Sequence, residues 1–524
     1  MKNILYSIAL FAFYLSLASQ TQAAMHTVCS SGCTYTSIQS AIAASSAGDT
    51  IKLGPGSYPG FTLNKQVTIV GENYNQANPR ANTSKITSTI TVNGNWAWDQ
   101  GPVFTGLSLH DAAYAIIGFA PYTIQYSHIV ADGNDGVSFE PGGGGIVKGN
   151  IIEHTGDDCI DVDNQTKDIV IENNQMLDCG QDGIEIRQMN DPIASRITLT
   201  FRNNIVDVTG QDGMQIMDYN NFTNRRYILQ RNIFRSNGKA AIGLMVADVT
   251  QENYSAAAMP EPLYAINNTF INNDAAISGG DNLIAINNIF SGQRTFDLKA
   301  VGGRSKIMNS VFATTPKLQG TNNLDMASTR TGDPKLDTSF VPQVGSPAID
   351  GGIANYSHTY TFNGQNVTDT VVNYQSSTDY SGTAPDIGVK ESNFTVTPIV
   401  TVTPTLNPTI TTIATPTLTI SNSPTPIPSP TGVFSCPKKN IGDSDCKQIT
   451  QGVYKVDILD YAIWYSEFIA GCSESTLTKC GSDADGNGNA MDANFNFPGT
   501  SYLLTDTKVD VFDYAVWIQG FLVQ

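Results

Sequence analysis

The 524-residue chain carries 47 Asp and Glu against 29 Lys and Arg, a formal net charge of −18. Phosphate recognition needs clustered basic side chains, so this balance argues against nucleic acid and anionic membranes as partners. It is compatible with divalent cations, although acidity also serves solubility in exported proteins.

In chain order, the first element is a leader. Residues 1–24 begin with Lys2, continue as an apolar run from Ile4 to Ala18 and end in small residues at Ala23 and Ala24, the layout of a cleavable secretory signal. That run is too short to span a membrane and no later segment is apolar enough, so the chain is expected to be secreted or displayed at the cell surface, without a membrane span. Export permits disulfides, and the eight Cys read as local pairs: Cys29 with Cys33, Cys436 with Cys446, and Cys472 with Cys480. Cys159 and Cys179 are left over, and their pairing stays open.

Residues 25–392 form the large module. "YTSIQSAIAASSAGDTIKLGPGSY" (35–58) predicts one short amphipathic helix followed by a strand and a Gly-Pro turn. Farther on, "GNIIEHTGDDCIDV" from Gly149, "NNQMLDCGQDGIEI" from Asn173, "NNIVDVTGQDGMQI" from Asn203 and "RNIFRSNGKAAIGL" from Arg231 align without gaps, with weaker copies from Tyr126, Asn267 and Asn287. Each copy predicts a short strand, a polar turn with Gly and a second short strand. The recurring Asn150, Asn174, Asn204, Asn232, Asn268 and Asn288 are 20 to 36 residues apart, so each repeat carries a loop of adjustable length. No helical periodicity supplies crossover helices. Strands repeating in this way stack into an all-β parallel solenoid, with equivalent residues about 4.8 Å apart in successive coils and the Asn column as an amide ladder inside the turns. The beginning of the module resembles the cap and first coil of right-handed parallel β-helix proteins of the pectate lyase type. "GDPKLD", "GSPAIDGG" and "APDIGVKE" resemble the closing segment shared by many of them. The resemblance implies fold more than activity, because that scaffold hosts lyases, hydrolases, esterases and inert spikes.

Stacking turns the repeats into columns. Eight places after each column Asn, or its equivalent Ser127, come Asp135, Asp158, Asp182 and Asp212, then Ala240. Period-2 alternation sends Ile160 and Val162, Ile184 and Ile186, and Met214 and Ile216 inward. Asp161, Glu185 and Gln215 then form one outward column, and Glu140, Asp163, Arg187 and Met217 the next. Asp157 aligns with Gln181, Gln211 and Lys239. Charges about 5 Å apart repel by roughly 1 kcal/mol even in water and by several when partly buried. The stack therefore calls for backbone amides that accept it as turn caps, for bound Ca²⁺, or for shared protons that do acid–base work, and these are compatible with one another.

Two enzyme families resemble "GDDCIDVD" (156–163) and its surroundings. In one group of calcium-dependent β-helical pectate lyases an Asp-Gly in one coil precedes Asp-Asp-x-x-Asp in the next, and Asp135-Gly136 followed by Asp157, Asp158 and Asp161 reproduces this. The resemblance implies that these four Asp residues are metal ligands. Where that family has its Lys base this chain has Glu185 or Gln215, which leaves Arg187 or Lys239 as substitutes. In polygalacturonases Asn-Thr-Asp precedes Asp-Asp-Cys, which "GNDGV" (133–137) and "GDDCI" (156–160) resemble; that family's Gly-His-Gly and Arg-Ile-Lys elements are replaced by "GQDGIEIR". Asp158, Asp182, Arg187 and Lys239 are the expected catalytic residues and Glu185 a substrate contact. Trp96 and Trp98 suit stacking on sugar rings, and suit equally a hydrophobic lid over the early coils.

Residues 393–433 repeat Thr and Pro without a charge, a semi-rigid linker that could reach on the order of 100 Å. In residues 434–524, "KVDILDYAIW" and "KVDVFDYAVW" are near-duplicates preceded by "GDSDC" and "DADGNGN". This pairing resembles a type I dockerin, a small α-helical module of two EF-hand-like loops. The resemblance implies Ca²⁺ ligands at Asp443, Asp445, Asp457 and Asp460 and at Asp483, Asp485, Asn487, Asp510 and Asp513. It also implies a cohesin-like or cell-surface protein partner. Both loops carry insertions relative to that pattern, and a calcium-stabilised module that packs on itself is the competing reading. The whole chain reads as a secreted β-helix protein acting on a uronate-containing polysaccharide as a calcium-dependent lyase or an inverting glycoside hydrolase. The alternative is a non-catalytic glycan-binding or structural protein.

Overall fold

The computed structural model describes residues 23–393, apart from 112, 188–194, 219–223, 247–253, 255–258, 260, 322, 323, 363 and 377, together with the backbone of 448–450 and 453–454. The expected leader except its last two residues, the linker except Asn393, and every expected calcium ligand of the C-terminal module lie outside these residues. So do the proposed pairs Cys436–Cys446 and Cys472–Cys480. The chain divides into units at Val402/Thr403, and the second unit contributes one antiparallel strand pair, Gln448–Thr450 with Val453–Tyr454.

In the first unit the chain visits three parallel sheets in turn, one strand of each per coil. Sheet 1 has 12 strands, from Met25–Val28 to Lys306–Met308; sheet 2 has 12, from Gly56–Tyr58 to Arg330–Thr331; sheet 3 has 11, from Thr62–Leu63 to Leu318–Gln319. The coil around the acidic stretch runs Gly145–Lys148, Ile151–Thr155 and Ile160–Asp163 before Ile169–Glu172 begins the next. Sequence repeats supply only the second and third of these strands. The sheet 1 strands lie outside the aligned copies, where loop length varies.

Alternation explains why the strands stack. Val147, Ile152, Ile160, Val162, Ile171, Met176, Ile184 and Ile186 are fully or almost fully buried in one core that runs the length of the solenoid. A lone coil has too few neighbours to bury such residues, so stability comes from the interface between coils. Phe234, Phe270, Phe290 and Phe312 occupy one column, with ring centroids 5.6, 5.1 and 4.5 Å apart.

The column Asn residues form the expected amide ladder. The Oδ1 of Asn204 accepts the backbone N–H of Asn174 and its side-chain amide, both at 3.0 Å, while the Asn204 amide donates to the Ile171 carbonyl at 2.9 Å. The same pattern runs from Asn150 to Asn288 and ends in Ser127 and Ser310. The residue before each ladder Asn takes positive φ, between 50° and 63° at Tyr126, Gly149, Asn173, Asn203, Arg231, Asn267 and Asn287. This accounts for the frequent Asn-Asn pairs, since Asn tolerates the left-handed region.

The predicted helix is Ile38–Ala44, capped by the Ser37 hydroxyl, and it buries Ile38, Ala41 and Ile42 against the first coil. The hairpin Asn355–Phe362/Gln365–Asn373 docks on sheet 1, where buried Asp369 accepts from Arg196 at 2.7 and 2.9 Å and from the Tyr264 hydroxyl at 2.7 Å. Cys29 pairs with Cys33 as expected, and Cys159 pairs with Cys179, which ties two coils together inside the core.

Candidate functional site

The site is built on the corner between sheets 2 and 3, where each repeat reads Gly-x-Asp or its variant. A Cβ on Gly180 would lie 2.4 Å from the Gly156 carbonyl oxygen, one on Gly210 2.1 Å from that of Gly180, and one on Gly238 2.3 Å from that of Gly210. Only glycine allows the backbones to approach so closely at this corner. The close stack puts the Asp two places later in register from coil to coil.

Each column Asp then caps the coil that follows. Oδ1 of Asp135 accepts the Asp158 N–H at 3.0 Å, Asp158 accepts that of Asp182 at 2.8 Å, Asp182 that of Asp212 at 2.6 Å, and Asp212 that of Ala240 at 2.7 Å. The turn-capping role therefore accounts for one oxygen of each carboxylate and fixes its rotamer. Around this ladder one oxygen from each of Asp135, Asp157 and Asp158 lies within 4.8 Å of the other two. The same holds for Asp158, Asp182 and Glu185. The outward columns are those that alternation predicts: Asp161 pairs in register with Glu185 and then Gln215, and Asp163 with Arg187 and then Met217.

Burial makes this concentration of charge costly. Asp135, 5% exposed, is pushed up to about 7, chiefly by burial and partly offset by the amide of Asp158. Asp158 and Asp161 are held well above the usual carboxylate range, first by burial and then by neighbouring carboxylates, Asp182 and Glu185 for the former, Asp163 and Asp135 for the latter. Asp157, Asp163 and Glu185 move in the same direction because of burial, which the Arg187 guanidinium opposes. One carboxylate oxygen of Asp161 is buried and has no hydrogen-bond partner among the described residues.

The cations of this face are differently placed. Arg187 bonds Glu185 at 2.7 Å and Asp163 at 3.4 Å, and these carboxylates hold its guanidinium firmly protonated despite partial burial. Lys239 donates to Gln211 at 2.9 Å, and Gln211 to Gln181 at 2.5 Å, a side-chain relay along the Asp157 column. Lys239 stands three rungs beyond Asp157, roughly 14 Å at the ordinary strand spacing. The structure thus brings Asp135, Asp157, Asp158, Asp161, Asp182, Glu185 and Arg187 together and leaves Lys239 apart. Trp96 and Trp98 are both half-buried, and Trp96 packs against the core of the early coils.

Two tyrosines belong to the site without a motif to announce them. Tyr114 hydrogen-bonds the Asn134 side chain, and its phenol is raised by burial and by the charge of Asp135. The Tyr254 hydroxyl bonds both oxygens of Asp212 at 2.9 Å, and Lys299 lies 5.7 Å from its ring centroid. Tyr114 sits in a coil without the Gly-x-Asp signature and Tyr254 outside the aligned repeats, so neither falls in a readable column.

Residues 88–248 match the family described as a right handed beta helix region. The solenoid is a right-handed β-helix. Among solved structures, the chain is similar to pectate lyase Pel9A, with 15% identity, 72% of this chain and 98% of that one covered, and a TM-score of 0.45. It is also similar to the A-module of the Azotobacter vinelandii mannuronan C-5 epimerase AlgE6, with 13% identity over 56% and 89% of the chains and a TM-score of 0.41. A third is the catalytic unit of the α-1,3-glucanase of Streptomyces thermodiastaticus, with 12% identity, 56% and 64% coverage and a TM-score of 0.38. No curated protein matches the chain. Among the described residues no helix is long and apolar enough to cross a membrane.

Proposed function

We propose that the protein is an extracellular, calcium-dependent lyase of a uronate-containing polysaccharide, acting on the acidic corner of its β-helix. The observation that carries this reading is the convergence of oxygens from Asp135, Asp157 and Asp158; the unpartnered buried oxygen of Asp161 belongs to the outward column, where the charge of Asp135 acts on it. The donor set is all oxygen and anionic, which suits a hard divalent cation that takes six to eight such ligands. Asp135, Asp157, Asp158 and Asp161 would hold the ion. When bound, it would supply a positive charge that both attracts a sugar carboxylate and acidifies the proton α to it.

The chain's own residues contribute position and charge. The amide ladder holds Asp135 and Asp158 in fixed rotamers, so little reorganisation accompanies binding. Arg187 stays protonated between Glu185 and Asp163 and is suited to meet an anionic sugar rather than to accept a proton. Lys239, three rungs away, would meet a different sugar unit. Export through the leader, and tethering of the enzyme by a calcium-loaded dockerin-like module to a cohesin-like or surface protein, complete the proposal.

One observation favours inverting hydrolysis as a second reading: Asp135, pushed up to about 7, is a carboxylic acid still protonated near neutral pH beside other carboxylates. Incubating the full chain with polygalacturonate and with alginate, in calcium or in chelator, separates the readings. Unsaturated, ultraviolet-absorbing ends that need calcium identify a lyase. New reducing ends without that absorbance identify a hydrolase, and retention of polymer without either product identifies a binding protein and refutes both.

A further inference from the structure

We propose that the chain is cut between Ala23 and Ala24, and that the α-ammonium group freed there becomes the ion-pair partner of Asp49, locking the outermost strand of sheet 1. This rests on removal of the leader, which the export part of the proposed function requires, and on neither the calcium site nor the lyase activity.

The first ground is where the fold begins. The Ala24 N–H donates to Oδ1 of Asp49 at 2.8 Å, and its carbonyl accepts the Thr50 N–H at 2.9 Å. Met25–Val28 then runs in parallel register with Thr50–Leu53 as the edge of sheet 1. Among the described residues Ala23 makes no hydrogen bond, and both alanines are exposed. A cut after Ala24 would delete both of its bonds. A cut after Ala23 keeps both and changes only the charge of the donor.

The second ground is Asp49 itself. It is 7% exposed, and its Oδ2 accepts the Ser46 N–H at 2.8 Å and faces Nε2 of His26 at 3.1 Å. The Ser46 and Ala24 amides and His26 hold its carboxyl below the usual range, so it is ionised at neutral pH. A carboxylate taken out of water calls for a cation. Its one ion-pair partner among the described residues is His26, an imidazole that is charged only when protonated. An α-ammonium in place of the Ala24 amide puts a full positive charge where an N–H already donates. Such charge-assisted hydrogen bonds are roughly twice as strong as neutral ones.

The sequence selects the same bond independently. Leader removal favours small residues at the first and third positions before the cut. A cut after Ala23 places Ala23 and Thr21 there, whereas a cut after Ala24 places Gln22 at the third. The step is a hydrolysis by a leader-removing endopeptidase. Water adds across the Ala23–Ala24 amide, the C–N bond breaks, Ala23 leaves as a carboxylate, and the Ala24 nitrogen takes up the proton to become the ammonium.

The cut is tested by expressing the full chain with its leader in a secreting host and determining the intact mass and N-terminal sequence of the exported protein. It should begin at Ala24. A start at Met25, or at Ser19 behind the small pair Ser16 and Ala18, refutes the inference while the leader reading stands. Exported protein that keeps Met1 refutes both. The pairing is tested on two purified chains, 24–524 and the same chain with one extra Gly ahead of Ala24, each with Asp49 and with Asp49→Asn. Hydrogen exchange of the Met25–Val28 amides should be about fivefold faster with the extra Gly, and Asp49→Asn should erase that difference. Equal exchange in the two Asp49 chains refutes the pairing, as does a difference that survives Asp49→Asn.

Discussion

Stripping divalent cations should make the β-helix less stable as pH rises from about 4 to 8, the reverse of the usual response of a protein to leaving acid. Asp135 is the group from which the size follows, because its folded value is about 7 against an ordinary 3.8. Between those values the folded chain holds a proton that the unfolded chain has released, so stability falls with rising pH across the window and the loss is complete above 7. Three units correspond to on the order of 4 kcal/mol. For a unit of this size that is a drop in Tm of roughly 5 °C. Asp158 and Asp161 shift in the same direction and steepen the fall. Glu153, held near 2 by Arg80 and His128, works oppositely, but its contribution is lost only as pH falls from about 4.5 toward 2, below the window. The assay is thermal unfolding in chelator at pH 5, 6, 7 and 8, repeated with calcium. Calcium should restore the melting temperature at pH 8 and add little at pH 5. A Tm in chelator that is flat or rises from pH 5 to 8 would refute the reasoning that the corner is an uncompensated carboxylate stack.

Three further outcomes probe the scaffold that positions the stack. Gly210→Ala, whose Cβ would lie 2.1 Å from the Gly180 carbonyl oxygen, should lower stability by more than about 2 kcal/mol and weaken calcium binding with it, as chemical unfolding and calorimetry would show. Asn204→Ala removes the acceptor for two Asn174 donors and the donor to Ile171, and should cost about 3 kcal/mol or more in urea unfolding. Breaking Cys159–Cys179 by a double Ala substitution, with its separation of 20 residues, should cost about 3 kcal/mol, measured as a shift in the denaturation midpoint.

Much of this arrangement was legible because stacking converts sequence spacing into neighbourhood. Once Asn150, Asn174 and Asn204 are aligned, the Asp135–Asp158–Asp182–Asp212 ladder follows from the common eight-place offset and the Asp161–Glu185–Gln215 column from period-2 alternation; the carboxylate–amide bonds bear out the first and the strand registers the second. The sheet 1 strand of each coil was not legible, since Gly145–Lys148 and Ile169–Glu172 fall where loop lengths differ and no repeat aligns them. Cys159 and Cys179 stayed open for a related reason. They lie at different places in their own coils, and only the closeness of successive coils brings their Cα atoms to 5.4 Å. Contacts made by loops and tails carry no periodic signal at all. Arg80 reaches Glu153 across 73 residues, and Arg196 reaches Asp369 across 173. Tyr114 and Tyr254 enter the site in the same way.

The central claim is that "GDDCIDVD" and its neighbours are a cation site rather than only a set of turn caps. A crystal structure of the full chain grown or soaked in calcium tests it most directly. The account predicts an ion bonded at about 2.3–2.6 Å by oxygens of Asp135, Asp157, Asp158 and Asp161. Saturating calcium with the corner filled only by water, or by carboxylates paired through shared protons, would contradict it.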